Sequence, residues 1–175
     1  MIERDVLQRV LAGAVGGGAE FAEVYAEDKR STSAGLDDGR IEQVSSGRDR
    51  GAGIRVIAGD TTGFAYTSDM SEAGLSAAAT AAAAAAKQGG GGVRTVALTP
   101  SAPHRPNSVA RDPDSVAKAA KVELLERMND AARSYGPEVV QVSAGYGDSR
   151  KQVLVANTDG VLTDDEIVRT LLRIS

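Results

Sequence analysis

Residues with the chemical repertoire for catalysis are few in this chain. There is a single histidine, His104 in Pro103-His104-Arg105-Pro106, and no cysteine. A zinc site needs three or four ligands converging on one point, usually His or Cys, so these residues cannot build one. A Cys–His pair is excluded, and a Ser-His-Asp arrangement would need His104 as its base, with no serine context beside it. Carboxylates cluster at Asp37-Asp38, at Asp112 and Asp114, and at Asp164-Asp165-Glu166. Each cluster sits where a turn or helix start is expected, and there Asp is favoured by its own side-chain hydrogen bonds. None carries the alternating oxygen ligands and closing Glu of a calcium loop. The glycine-rich stretches Gly47-x-x-x-Gly51-x-Gly53 and Gly89-Gly90-Gly91-Gly92 lack the Lys-Ser/Thr of a phosphate loop. Neither follows a strand and opens a helix, as a dinucleotide fingerprint must.

One constellation has a positive reading. Arg48, Arg50 and Arg55 make a small basic cluster, with Glu42 and Asp49 close enough in sequence to pair with them. Together with Thr61, Thr62 and Tyr66 they decorate what reads as a glycine-punctuated sheet edge. Such an edge can add an extended peptide as a further strand, through backbone hydrogen bonds that ignore side-chain identity. These six residues are the candidate peptide-binding set; no catalytic and no metal-binding residue is assigned.

The elements that must position them follow from periodicity. Val6, Leu7, Val10, Leu11 and Ala14 form a helical stripe, giving a helix over 2–14 that Gly16-Gly17-Gly18 ends. Residues 21–67 read as an antiparallel β-meander of four or five strands, with 28–33 as a polar edge. Asp37-Asp38-Gly39 is a hairpin signal, Ser46-Gly47-Arg48-Asp49 a turn, and Gly59-Asp60 a second hairpin turn. A helix over 71–87 starts at Ser71 and is nearly polyalanine, so it can lie close against a sheet. Four of the five prolines fall in 93–113, within a connector spanning 88–113. A third helix is expected over 115–133. Strand candidates then follow at 138–146, 151–157 and 161–175, with Thr158-Asp159-Gly160 as another hairpin turn. The fold class is α+β, with antiparallel β-meander sheets packed against three helices. Val168–Ser175 runs apolar to the terminus without a turn, the pattern of a truncated domain.

Composition bounds the rest. A chain of 175 residues allows one domain, or one and a fraction, with a real core. With 42% apolar residues but only 3% aromatics, that core must be aliphatic. The net charge of -4 and pI near 5.1 make nucleic acid an unlikely partner, because phosphate binding needs a basic surface. No apolar run approaches the roughly 20 residues of a membrane span, and the N-terminus lacks a signal-peptide core, so the cytoplasm is the expected compartment.

Two blocks carry a family resemblance. The first runs from Leu36-Asp37-Asp38-Gly39-Arg40 through Ser45-Ser46-Gly47 and Gly51-Ala52-Gly53-Ile54-Arg55-Val56 to Gly63-Phe64-Ala65-Tyr66. The second is Val153-Leu154-Val155-Ala156-Asn157-Thr158-Asp159-Gly160. Together they resemble the N-terminal domain of the TldD/PmbA proteins, also known as modulators of DNA gyrase. The resemblance implies an α+β fold with helices against curved antiparallel sheet. Family members with the complete metal site are zinc metallopeptidases, and their ligands lie in a His-Glu-x-x-x-His helix of a C-terminal domain absent from 1–175. It further implies heterodimers or homodimers whose N-terminal domains line a chamber and admit unfolded peptides to the zinc. Two functions are therefore in view. One is the substrate-admitting, dimer-forming portion of a TldD-like zinc metallopeptidase, inactive alone. The other is a stand-alone, non-catalytic interaction module acting as a gyrase or toxin-antitoxin modulator.

Overall fold

The computed structural model describes residues 2–86, 95–102 and 108–175. Lys87, the Gly89–Gly92 run, part of the connector over 88–113 and His104 lie outside the described residues. The chain order is α1 (Arg4–Val15), β1 (Phe21–Asp37), β2 (Arg40–Ala58), β3 (Thr61–Thr67), α2 (Glu72–Ala85), β4 (Thr99–Pro100), a 3-10 turn (Pro113–Ser115), α3 (Lys118–Arg133), β5 (Ser143–Asn157) and β6 (Val161–Ile174). The strands form one sheet in the order β3-β2-β1-β5-β6-β4. β3 runs antiparallel to β2, whereas the two-residue β4 pairs parallel with β6. The α+β class with three helices is as expected, now with a single sheet that has a parallel strand at one edge.

The meander is built from three strands, not four or five. Ser46-Gly47-Arg48-Asp49, read as a turn, lies inside the 19-residue β2. Likewise Gly147-Asp148-Ser149-Arg150, the expected break between two strand candidates, lies inside the 15-residue β5, so the last part of the chain holds two strands rather than three. Residues 28–33, expected at an edge, belong to β1 between β2 and β5. One reason covers these differences. Alternating hydrophobicity reports which face is buried, whereas strand continuity depends on backbone hydrogen bonds that polar residues make equally well. Local polar pairs such as Ser33 Oγ with Ser45 Oγ at 2.7 Å take the place of apolar packing there. The Asp38-Gly39 turn does behave as its sequence predicts. Both residues have positive φ, 46° and 78°, as a two-residue turn matching strand twist requires.

By contacts the chain divides into two compact units. The first comprises 1–28, 50–105 and 152–165, and the second 29–49, 106–151 and 166–175. In the first, α1 buries Leu7, Val10, Leu11, Ala14 and Val15, and the inward residues Ala22, Val24, Ala26, Ala52, Ile54 and Val56 join the same core. Ser71 caps α2 by accepting a hydrogen bond from the Gly74 N–H at 3.2 Å, and Asp69 Oδ1 accepts one from the Ser71 N–H at 2.9 Å. The hydrogen bond from the Ser71 N–H, and after it the one from the Ser71 side chain, hold the exposed Asp69 carboxyl below its ordinary range. Arg9 of α1 grips Glu72 with two hydrogen bonds of 2.7 Å each.

α2 presents Leu75, Ala78, Ala79 and Ala82 to the core. Small side chains let its backbone come very close to β3. A Cβ built on Gly63 would overlap the Ala82 carbonyl oxygen and lie 2.6 Å from the Ala86 nitrogen. In the second unit, Ala34, Leu36, Leu125, Ala144 and Tyr146 form a smaller core under α3.

Gly63→Ala should therefore lower stability by about 1–3 kcal/mol or more, because neither clashing group is a movable side-chain end. Gly13→Ala, in the last turn of α1 with nothing within 4 Å of its new methyl, should instead raise stability by up to about 0.5–1 kcal/mol. Urea midpoints of the two variants against the parent chain read both signs.

Candidate functional site

In the first unit, the antiparallel register sets opposite faces of β2 and β3. Ile54 pairs with Ala65 and Val56 with Gly63 on the buried side, so Gly53, Arg55 and Ile57 meet Tyr66, Phe64 and Thr62 on the other. That second face is aromatic. Phe64 and Tyr66 contact edge to face with centroids 4.6 Å apart and remain 48% and 81% exposed. Gly53 makes room for them: a Cβ there would meet the Phe64 ring at 2.9 Å. Arg55 lies 5.8 Å over the Phe21 ring and pairs with Glu23 at 3.0 Å. Its buried Nε has no hydrogen-bond partner.

The six candidate peptide-binding residues are thus only partly brought together. Arg55, Thr62 and Tyr66 share the outer face. Thr61 falls on the opposite side, paired with Ala58. Arg50 is exposed on β2 just before the paired stretch. Arg48 belongs to the second unit. Phe64 and Phe21 escaped the sequence reading, although period-two alternation with Tyr66 would have placed Phe64 beside it.

The second unit contains a buried ionic cluster that the sequence did not announce. Lys121 of α3 is 4% exposed, and its Nζ donates to Asp148 Oδ2 of β5 at 2.5 Å. The Tyr146 hydroxyl donates to the same oxygen at 2.5 Å, and the Lys121 ammonium lies 5.4 Å over the Tyr146 ring. Burial, then the hydrogen bond to Asp148 and its charge, push the Tyr146 pKa well up. Charges buried this way persist only because they are paired.

Other ion pairs join neighbouring parts of this unit. Arg150 bonds to Asp112 at 2.9 Å and to Glu166 at 2.8 Å, and the Glu166 bond is the main cause of its raised pKa. Arg133 donates to Asp38, and Gln141 and Ser143 donate to Asp37. Of the acidic residues expected at turns and caps, Asp37, Asp38, Asp112 and Glu166 act as acceptors here. Asp112 additionally accepts from the Asp114 N–H at 3.0 Å.

Beside this cluster is a cavity of about 450 Å³ lined chiefly by polar and basic side chains, among them Arg30, Arg48 and Lys118. Among the described residues no group of three or more His, Cys, Asp or Glu side chains is placed to hold a metal ion. The described residues do not fit a zinc site. Among the described residues no helix is long and apolar enough to cross a membrane.

Two blocks of this chain match models of a metallopeptidase family. The model for PmbA/TldA metallopeptidase domain 1 matches residues 22–86, and that for the PmbA/TldA metallopeptidase central domain matches residues 111–175. The chain belongs to the TldD/PmbA family and represents its N-terminal part. It is 34% identical over 161 residues to the Metalloprotease TldD homolog of Haemophilus influenzae, covering 89% of this chain and 32% of that protein. With a Metalloprotease of Methanothermobacter thermautotrophicus, identity is 29% over 153 residues, covering 87% and 33%. The chain spans about a third of the length of these curated relatives.

In fold it is similar to a candidate modulator of a DNA gyrase from Thermotoga maritima, with a TM-score of 0.75 at 17% identity, over 96% of this chain and 38% of the other. It is also similar to TldE from Thermococcus kodakarensis, with a TM-score of 0.72 at 16% identity, over 97% and 42%.

Two consequences follow for the ionic cluster. A Tyr pKa raised on folding means that stability is full below the ordinary value of about 10 and is lost as pH rises above it. The unfolded chain then releases a proton that the folded chain keeps. Between about pH 10 and 12, stability should fall more steeply for the parent than for Tyr146→Phe, by up to about 1.4 kcal/mol per pH unit, in denaturant titrations across that range.

Asp148→Asn leaves the Lys121 ammonium buried without its counter-charge and should cost about 3–5 kcal/mol. The double variant Lys121→Met with Asp148→Leu should recover most of that loss in the same titrations at pH 7.

Proposed function

We propose that this chain is the substrate-admitting and dimer-forming portion of a TldD-like zinc metallopeptidase that cleaves unfolded peptides. Its partner on this reading is a TldD- or PmbA-type subunit, and its compartment the cytoplasm. On this reading the metal is held elsewhere in the longer protein. Family membership supports the peptidase assignment, and the curated relatives named metalloproteases are about three times as long.

The observation that carries the admission role is the position of β3. It stands at the end of the strand order, with β2 as its one neighbouring strand. An extended segment added along its outer edge would be held by backbone hydrogen bonds, the mode that tolerates many sequences. Phe64 and Tyr66 supply exposed aromatic surface on one face, and Arg55 a cation beside them. Aromatic rings gain much from burial against any apolar side chain, which suits an unselective peptide. No catalytic step is assigned to residues of this chain.

Titrating the chain with short unstructured peptides and following backbone amide NMR signals tests this. Perturbation should concentrate on 61–67, and a sequence-scrambled peptide should bind within about threefold of the original. N-methylation of alternate peptide amides, or Phe64→Ser with Tyr66→Ser, should weaken binding about tenfold or more. Binding that survives N-methylation, or that leaves 61–67 unperturbed, would remove the admission role.

A further inference from the structure

β6 has an open backbone edge. β4 pairs with it only at Val161 and Leu162, and among the described residues no strand lies along its outer edge beyond them. Ser143 and Ser175 exchange N–H···O bonds of 2.8 Å, which defines an antiparallel hydrogen-bonded pair. Arg173, Leu171 and Arg169 keep the parity of Ser175 and turn their backbone groups toward β5. Val168, Thr170, Leu172 and Ile174 therefore direct theirs outward. Leu162 has the same parity, and its carbonyl accepts from the Ser101 N–H at 2.7 Å on that outer side.

The side chains divide with the same period. The Ser143–Ser175 register sets Ala144 opposite Ile174 and Tyr146 opposite Leu172, so Leu172 and Ile174 continue the face that packs under α3. The small core under α3 nonetheless contains no residue of β6, and these two side chains stay 46% and 48% exposed. The other face carries Arg169, Leu171 and Arg173, opposite Ser149, Gly147 and Gly145 of β5. A Cβ built on Gly145 or Gly147 would meet nothing within 4 Å, and Leu171 beside them is 52% exposed. Neither arginine has an ion-pair partner among the described residues. The acids of 164–166 have partners of their own, Arg150 for Glu166 among them.

An open edge with apolar residues on one face and unpaired cations on the other fits an extended segment of complementary alternation. Its backbone would continue the ladder, its apolar residues would cover Leu172 and Ile174, and its carboxylates would meet Arg169 and Arg173. A second copy of this chain would bring the same two arginines to the edge, where like charges oppose pairing.

We infer that the outer edge of β6 over 168–174 docks an extended acidic segment in which carboxylates alternate with apolar residues. The inference is independent of the reading of β3, which lies in the other unit.

Three acetylated, amidated heptapeptides test it by amide NMR and calorimetry in low-salt buffer at pH 7. One alternates glutamate with valine, one lysine with valine, and one glutamate with serine. The glutamate–valine peptide should bind saturably and perturb the amides of 168–174. The other two should bind about tenfold more weakly or worse. Arg169→Gln with Arg173→Gln should weaken the glutamate–valine peptide about fivefold or more, and so should about 0.5 M salt. Both arginines are exposed, so this double variant should unfold at the temperature of the parent. Arg4→Gln, an exposed charge change in the first unit, should leave binding unaltered.

Failure of the glutamate–valine peptide to saturate by about 5 mM overturns the proposal. Binding that the double substitution and salt leave intact, or that the lysine–valine peptide matches, overturns it as well. Concentration-dependent dimerisation that the glutamate–valine peptide cannot displace identifies a second copy as the occupant and counts against an acidic segment. Perturbation confined to 61–67 supports the reading of β3 and overturns this one.

Discussion

The contact between the Gly63 backbone and the Ala82 turn of α2 constrains most of what the first unit presents to its surroundings. Only a strand without a side chain at that position, facing a helix of alanines, can approach so closely. Once Gly63 faces α2, strand geometry leaves Thr62, Phe64 and Tyr66 no choice but the opposite face. The antiparallel register then carries the same division to β2, turning Ile54 and Val56 inward and Gly53 and Arg55 outward. The polyalanine composition, which looks like low information, is what makes this approach possible. Larger side chains on α2 would hold helix and sheet apart and leave Gly63 over a void.

The second unit solves a different problem. Its apolar core is small, and a residue as polar as Lys121 is buried beside it. Asp148 and Tyr146 meet that lysine from one strand, because residues two apart in β5 point the same way. Arg150, two residues further, continues the ladder to Asp112 and Glu166. The pairing of α3 with the strand is thus specified by directional ionic contacts as well as by Leu125 and its apolar neighbours. Such contacts add little net stability over a hydrophobic substitute, but they punish misregistration heavily. A slip of β5 by one residue would turn Asp148 away and leave Lys121 buried alone.

These two designs explain why the basic cavity and the aromatic face differ in character. The aromatic face is the by-product of alternation on a strand whose other side is committed to a helix. The cavity is lined by charges held at the start of α3 and on two strands whose midsections are polar.

Several features were determined by the sequence alone. The helices at Val6–Ala14 and after Ser71, the hairpin turns at Asp38-Gly39 and Gly59-Asp60, and the α+β class all rest on local rules: periodicity, capping and positive φ. The family resemblance rested on motif blocks that are themselves turns and strand faces. Tertiary structure alone decided the rest. Strand lengths were misread at 46–49 and 147–150 because polar strand residues are paid for by partners distant in sequence, which no local pattern reveals. The Lys121–Asp148 pair joins residues 27 apart, and α3 had already been outlined by its apolar positions without any sign that a lysine was inside. The candidate peptide residues were separated in the same way. Alternation put Thr61 and Thr62 on opposite faces, and folding placed Arg48 in a different unit from Arg55. Local sequence chooses the element and its turns, whereas burial and charge pairing depend on which elements meet, and that is settled only when the chain is folded.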